Sequence, residues 1–313
     1  MSDAPRAATL DDVVRADNLS GAFRRLLKVR GLWSSGVLMT DVRREPVAPM
    51  LRLAESLRSG SYQSGTPTAV KIAKADGTLR ELLVFPVRDR VAQRAVLQAV
   101  SPFSEAHFLS SSYGFRVKRG VPQALRACER WVRNGYGFAV EADIANCFGS
   151  ISFDVAMAGA ARFVSDAALL KLIGRMAQGN KSDAGAGLAQ GGCLSPWLCN
   201  TVLHGFDEAM HRACIPLVRY ADDFVLFNRS FGEARRALFS AARQLATMGL
   251  MLKPAKTRIL RPTECARFLG TALVRPLPPI GYRELPLQSH VALSASRVAG
   301  SGFEMEISYG TAL

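Results

Sequence analysis

Three carboxylates carry the chemistry that this sequence suggests first. Asp222 and Asp223 stand side by side in the run LVRYADDFVLF (217–227), and Asp143 closes the run GFAVEAD (137–143) about 80 residues earlier. Adjacent like charges in an apolar segment repel and lose hydration, so each needs a compensating cation or takes up a proton. The apolar and aromatic residues on both sides read as strands, with the acidic pair near a hairpin turn. If those strands are neighbours in one antiparallel sheet, the three carboxylates converge at its rim. That arrangement serves two-metal phosphoryl transfer, one ion activating an attacking 3′-hydroxyl and the other holding a triphosphate and stabilising the leaving pyrophosphate. Magnesium binds oxygen ligands and keeps several waters, so two or three carboxylates plus substrate phosphates are enough. A lone Asp-Asp pair is more often a surface turn, so the weight falls on its surroundings.

The elements around the carboxylates belong to a 313-residue chain, 49% apolar, long enough for one large domain or two ordinary ones. Lys and Arg number 40 against 26 Asp and Glu, a net charge of +14 that favours a polyanionic partner over a generic solubilising role. No apolar run approaches the ~18–20 residues of a spanning helix. The start, MSDAPRAATLDDVV, lacks the basic-then-apolar order of a signal peptide, so no membrane partner and a cytoplasmic location are expected. The six cysteines form no C-x-x-C pair, and His204, His211 and Cys214 fit no common ligand frame, so no structural metal is assigned.

Helical spacing is read at 18–29 and 44–59, followed by the break SGSYQSGTP. TAVKIAKADGTLRELLVF then reads as a β-hairpin turning at Asp76-Gly77, bracketed by Lys74 and Arg80. Residues 87–103 and 121–133 are expected to be helices, with the polar, aromatic and basic SSSYGFRVKRG between them. A strand is expected at Phe138–Asp143, two helices at about 154–178, and a glycine-rich loop entering a long helix at Ser195-Pro196. A helix at 231–248 and the short strand-like pieces LKPAKTRIL and ARFLGTALV follow the acidic hairpin, and the tail is Pro-rich, then strand-like.

Tyr220-Ala221-Asp222-Asp223 between apolar strands resembles the Y-x-D-D box of reverse transcriptases, and the order of that family's blocks can be followed from about residue 66 to 275. The resemblance implies that Lys74 and Arg80 grip the incoming triphosphate from the fingers hairpin. It implies that Asp143, in EADIANCFGSI, is a metal ligand with Asp222 and Asp223, the Ile144 backbone lying beside them. Phe148, five residues on, falls at the position where a bulky ring excludes a ribose 2′-hydroxyl. Gln190, before Gly191-Gly192 and Leu194-Ser195-Pro196, matches the loop that supports template and nucleotide. Lys256, in LKPAKT, matches a lysine near the triphosphate that can protonate pyrophosphate. Template and primer contacts are implied for Arg116 in SYGFR, for Tyr220, and for Phe268-Leu269-Gly270, which resembles the primer-grip hairpin.

The implied fold is α+β, a right-hand polymerase with an antiparallel palm sheet, helices, a fingers subdomain and a reduced thumb. Expected boundaries are a helical extension at 1–65, fingers at 66–135, palm at 136–275 with helices 154–180 between the two, and a tail at 276–313. The implied activity is RNA-directed DNA synthesis with two Mg2+ ions, for which Mn2+ can substitute. Partners are an RNA template, a DNA or RNA primer and dNTPs. SYGFR, GLAQGGCLSPWLCN and RYADDFVLF resemble the group II intron class and its bacterial relatives. Ser195-Pro196 departs from the Ser-Gln of diversity-generating enzymes, and Asn-Ala-x-x-His and Val-Thr-Gly stretches typical of retrons are missing. Ala145, Asn146, Cys147 and Gly149 replace four positions of the usual D-I-K-G-F-F-D block. PLPPIG stands where three long thumb helices are expected, which favours a CRISPR-associated or phage-defence relative with a non-coding RNA or Cas1-like protein partner. An autonomous intron-type enzyme and an RNA-binding scaffold without synthesis are the alternatives.

Overall fold

The computed structural model of the chain describes residues 7–73, 77, 79–178, 187–261, 264 and 267–273, and as backbone alone 291–298 and 302–309; Lys74 and the Arg80 side chain lie outside this set. The chain forms two compact units, one from Met1–Phe108 and Asn146–Gly205, the other from Leu109–Ala145 and Phe206–Leu313. Each unit is therefore built from two stretches of chain.

In chain order, α1 (Leu10–Val14), α2 (Ala16–Arg24), the β1–β2 hairpin (Leu32–Ser34, Val37–Leu38), α3 (Met39–Arg44) and α4 (Val47–Arg58) come first. Thr9 starts α1 with a reciprocal capping box, its side chain accepting from Asp12 N–H and the Asp12 carboxylate accepting from Thr9 N–H. The expected hairpin is present as β3 (Thr68–Ala73) and β4 (Leu79–Val84), with Ile72 opposite Arg80. α5 (Val87–His107) continues through Pro102 beyond its expected end, and the hydroxyls of Ser101 and Ser104 bond to carbonyls of Leu97, Val100 and Ser101 around it.

α6 (Val121–Arg133) starts with Pro in its first turn and ends at Asn134. β5 (Phe138–Asp143), α7 (Cys147–Ser150), α8 (Phe153–Ala161), α9 (Ala167–Gln178) and α10 (Ser195–Arg212) follow. β6 (Leu217–Tyr220) and β7 (Asp223–Asn228) form the acidic hairpin, and Ser230 caps α11 (Phe231–Ala246) through the Glu233 N–H. A short 3-10 turn at Pro254–Lys256 leads to β8 (Arg258–Leu260), the hairpin β9–β10 (Arg267–Phe268, Thr271–Ala272) and the tail hairpin β11–β12 (Val291–Val298, Gly302–Tyr309).

The second unit holds a four-stranded antiparallel sheet in the order β6-β7-β5-β8. Period-two alternation divides its side chains between two faces. Ala139, Val218, Val225 and Phe227 form a core with Ala124, Ala127, Cys128 and Val132 of α6. On the other face Phe224 meets Phe206 of α10 at 5.1 Å between centroids, and Phe138 meets Phe231 of α11 at 6.5 Å. Asp143 and Asp223 share the parity of the α6 face and end it. Among the described residues, no helix is long and apolar enough to cross a membrane.

Candidate active site

Asp143 and Asp223 are opposed residues of the β5–β7 ladder, so their side chains emerge together at one end of the sheet. Between β6 and β7 only Ala221 and Asp222 form the turn, with Tyr220 opposite Asp223. Ala221 has φ +58°, and Asp222 is not among the positive-φ residues, the sign pattern of a type II′ turn in which glycine is usual. A non-glycine residue there stores about 1–3 kcal/mol of strain, which the surroundings must offset.

The surroundings are specific. The Asp222 carbonyl accepts the Ile144 N–H at 3.1 Å, the Asp143 carbonyl accepts the Lys253 N–H at 2.8 Å, and Ala145 N–H donates to Met251 O at 2.8 Å. The main chain around all three aspartates is thereby bound into one hydrogen-bonded frame, with Ile144 only 1% exposed. Gly114 approaches so closely that an added Cβ would lie 2.4 Å from the Ala221 nitrogen. Tyr113 N–H donates to Arg219 O at 2.9 Å and Arg219 N–H to Ser111 O at 2.8 Å, so the segment before Gly114 runs along β6.

Arg219 is among the residues that sequence reasoning missed. It is fully buried on the face opposite Asp223, with Nε and Nη2 donating to both carboxylate oxygens of Asp207 at 2.7 and 2.6 Å. Its remaining donors reach Ser112 Oγ at 2.9 Å and the Ala221 carbonyl at 3.0 Å. The guanidinium therefore holds the strained turn residue directly. The signal was a basic residue between apolar Val218 and Tyr220, in a strand whose residues are buried on both faces.

Lys256 Nζ lies 2.6 Å from Asp143 Oδ2, and this hydrogen bond raises the lysine above its ordinary pKa. Asp223 is pushed up to about 6, first by burial, then by the charges of Asp143 and Asp222. A cavity of about 460 Å³ opens at this end, lined by Asp143, Asp223, Lys256, Arg258 and Phe268–Gly270. Phe268 is buried, and Leu269 (φ +53°) and Gly270 (φ +78°) make a two-residue turn with Phe268 opposite Thr271. Glu141 lies two residues before Asp143 on the same face and ties this hairpin to the sheet. Its carboxylate accepts from Arg258 Nε at 2.8 Å and from the Arg267 N–H.

Among the described residues no three His, Cys, Asp or Glu side chains form a ready metal cage. What stands in the cavity is a pair of facing carboxylates, one carrying a lysine ammonium. A buried aspartate with a raised pKa beside two like charges suits a hard cation, and magnesium needs only one or two carboxylates besides waters and phosphates. The residues fit such an ion.

Arg116 is buried, and its Nη1 donates to the carbonyls of Leu109 and Ser112 at 2.6 and 2.9 Å. In SYGFR the exposed side chain is Phe115, 58% accessible with φ +59°. Phe148 and Gln190 belong to the first unit. The Phe148 carbonyl accepts Leu188 N–H at 2.7 Å, and the Gln190 carbonyl accepts Leu83 N–H of β4 at 2.7 Å. Gly191 (φ +120°) lets this loop approach, since a Cβ there would lie 2.2 Å from Leu83 O.

The family model for reverse transcriptase (RNA-dependent DNA polymerase) matches residues 72–273. Protein YkfC of Escherichia coli (strain K12) is 27% identical over 318 residues, covering 84% of this chain and 82% of that protein. The group II intron-encoded protein LtrA of Lactococcus lactis subsp. cremoris is 28% identical over 204 residues, covering 63% of this chain but 34% of LtrA. The chain thus spans about a third of that intron protein. The structure of apo telomerase from Candida tropicalis is similar at a TM-score of 0.50 with 12% identity, over 67% of this chain and 47% of that one, a likeness of right-hand polymerase fold alone. Because the family match takes in well over half of the chain, with every strand of the four-stranded sheet and parts of both units, the chain belongs to the reverse transcriptase family of RNA-directed DNA polymerases.

Proposed function

We propose that this chain extends a primer 3′-hydroxyl with dNTPs on an RNA template by two-metal phosphoryl transfer. The observation that carries the reading is the direct opposition of Asp143 and Asp223 on β5 and β7, with Asp222 in the adjoining turn. Two magnesium ions held by these aspartates and the Ile144 main chain would supply Lewis acidity for the attacking hydroxyl and the leaving pyrophosphate.

The protein's own groups do the rest. Lys256, kept protonated by Asp143, is assigned to neutralise triphosphate and donate a proton to departing pyrophosphate. Arg219 holds the turn that carries Asp222. The Phe268–Gly270 turn, tied down through Glu141, is assigned to the primer end. Tyr220 shares the cavity-facing parity of Asp223 and is assigned to template or primer contact. Arg80, Lys74, Phe148 and Gln190 are assigned to the nucleotide, on sequence resemblance. The group II intron-like class has the support of LtrA; a CRISPR-adaptation or phage-defence setting rests on sequence resemblance alone.

Primer extension on an RNA template tests the reading. Asp222→Ala is expected to abolish incorporation while circular dichroism stays unchanged, and wild-type extension by this variant would sink the assignment. Phe148→Ala is expected to admit ribonucleotides; unchanged dNTP-over-rNTP selectivity would remove Phe148 from the gate. RNA binding without incorporation in either magnesium or manganese would favour a scaffold role.

A further inference from the structure

We propose that a second groove in the unit that carries the catalytic sheet binds single-stranded nucleic acid by stacking bases on Trp131 and Tyr136. The groove, of about 500 Å³, is lined by the last turn of α6, the loop at Leu109–Ser111, the end of α10 and the start of β6. It shares no lining residue with the catalytic cavity.

Its rings reach the surface in part. Trp131 and Tyr136 meet edge to face with centroids 5.0 Å apart, and both are partly exposed. The chain has three tryptophans, and the other two, Trp33 and Trp197, are only 4% and 5% exposed. Both rings pack against the core on the α6 face and keep part of their surface open, an adjoining aromatic pair on which bases can stack.

Its charge is positive. Arg130 lines the groove, the Arg229 guanidinium sits 4.8 Å above the Tyr136 ring, and Arg119 sits 5.3 Å above Tyr113, another lining residue. Asp207, the carboxylate that lines it, is spent on Arg219. Among the described residues, the Trp131 indole N–H, the Tyr136 hydroxyl and the Arg130 guanidinium make no hydrogen bond or ion pair. An apolar peptide would leave these donors and cations unanswered, whereas bases with their phosphates answer both. A chain with net charge +14 adds long-range attraction for the same ligand.

The burial of Trp33 and Trp197 makes tryptophan fluorescence a local probe. The full-length protein, free of divalent metal and dNTP, is titrated with a short oligouridylate, and affinity is read separately by anisotropy of labelled oligonucleotide. Saturable quenching is expected in the wild type and is expected to vanish in Trp131→Phe, whose affinity stays within about threefold because a ring remains. Trp131→Leu and Arg130→Gln are each expected to weaken binding about tenfold, with melting temperatures near wild type for Arg130→Gln. Quenching that persists in Trp131→Phe, or unchanged affinity in Arg130→Gln, overturns the proposal. So does an equal loss for a blunt duplex of the same length, which would reduce the effect to net charge. If Trp131→Leu fails to fold, Arg130→Gln and the Trp131→Phe signal decide it.

Discussion

Lys256 Nζ lies 2.6 Å from Oδ2 of Asp143 across 113 residues of sequence, joining the 3-10 turn before β8 to the end of β5. The hydrogen bond to Asp143 is the main cause of the lysine's raised pKa, so at neutral pH it is a cation and a proton source. Its contribution to stability is fully present below the ordinary lysine range and is lost only as pH rises through its higher folded value. Assays near neutrality therefore do not disturb it.

Lys256→Ala is expected to lower single-nucleotide incorporation by ~10²–10³-fold, the usual range for losing a positioned acid. Lys256→Arg is expected to keep charge neutralisation and recover part of the loss. A pH–rate profile checks the role: the alkaline limb of the wild type should disappear in Lys256→Ala. Wild-type rates in that variant would leave the contact a structural one.

Asp223 faces Asp143 with its own pKa raised to about 6 by burial and by two like charges, so without a cation it opposes folding at neutral pH. Its folded pKa exceeds the ordinary 3.8, so its stabilising contribution is complete below that value and is lost as pH rises through about 6. Asp223→Asn is expected to stabilise metal-free protein at pH ~8 by about 1–2 kcal/mol, discounted for partial exposure. The gain should vanish near pH ~4, while incorporation is lost. Thermal melts in chelator across this range decide it, and equal melting temperatures at the alkaline end would refute the repulsion.

How much of this site was legible in the sequence depended on whether a residue's role was local. The acidic hairpin, β5 and the fingers hairpin could be read because their apolar runs and turn residues act over a few neighbours. Asp143 could be placed near Asp223 only through the assumption of neighbouring strands, which the β5–β7 register now replaces. Arg219 and Asp207 escaped because an arginine in a strand looks alike whether it faces solvent or a buried carboxylate on a helix 12 residues earlier. The burial of Arg116 escaped for the converse reason: a basic residue in a polar loop suggests a ligand, and nothing local announces that its Nη1 donates to the carbonyls of Leu109 and Ser112. Glu141 had a local signal, the period-two step from Asp143, but its partners Arg258 and Arg267 arrive from β8 and β9.

Arg219 tests whether that buried network serves the turn or only the fold. Arg219→Met leaves Asp207 buried and unpaired, expected to cost about 3–5 kcal/mol. Adding Asp207→Leu removes the stranded charge and is expected to recover most of the stability. The Ala221 carbonyl still lacks its donor, so incorporation by the double variant should stay ~10–100-fold down through misplacement of Asp222. Denaturant unfolding and single-turnover kinetics on the same samples separate the two effects. A double variant with wild-type kcat would confine Arg219 to stability.

Glu141 links the catalytic strand to the turn assigned to the primer. Its carboxylate accepts the Arg267 N–H at the start of β9 and pairs with Arg258 at 2.8 Å. Glu141→Ala leaves that N–H unsatisfied, a local loss of about 1–3 kcal/mol that falls on the hairpin rather than on Asp143. The variant is expected to raise KM for primer–template by ~5–30-fold while kcat changes much less, because the chemistry at Asp143 and Asp223 is intact. Glu141→Gln, which keeps one acceptor oxygen, should lie between the two. Steady-state kinetics with primer–template varied at saturating dNTP measures the split. If kcat falls while KM holds, the hairpin shapes the metal site, and the primer end is held by something other than Phe268–Gly270.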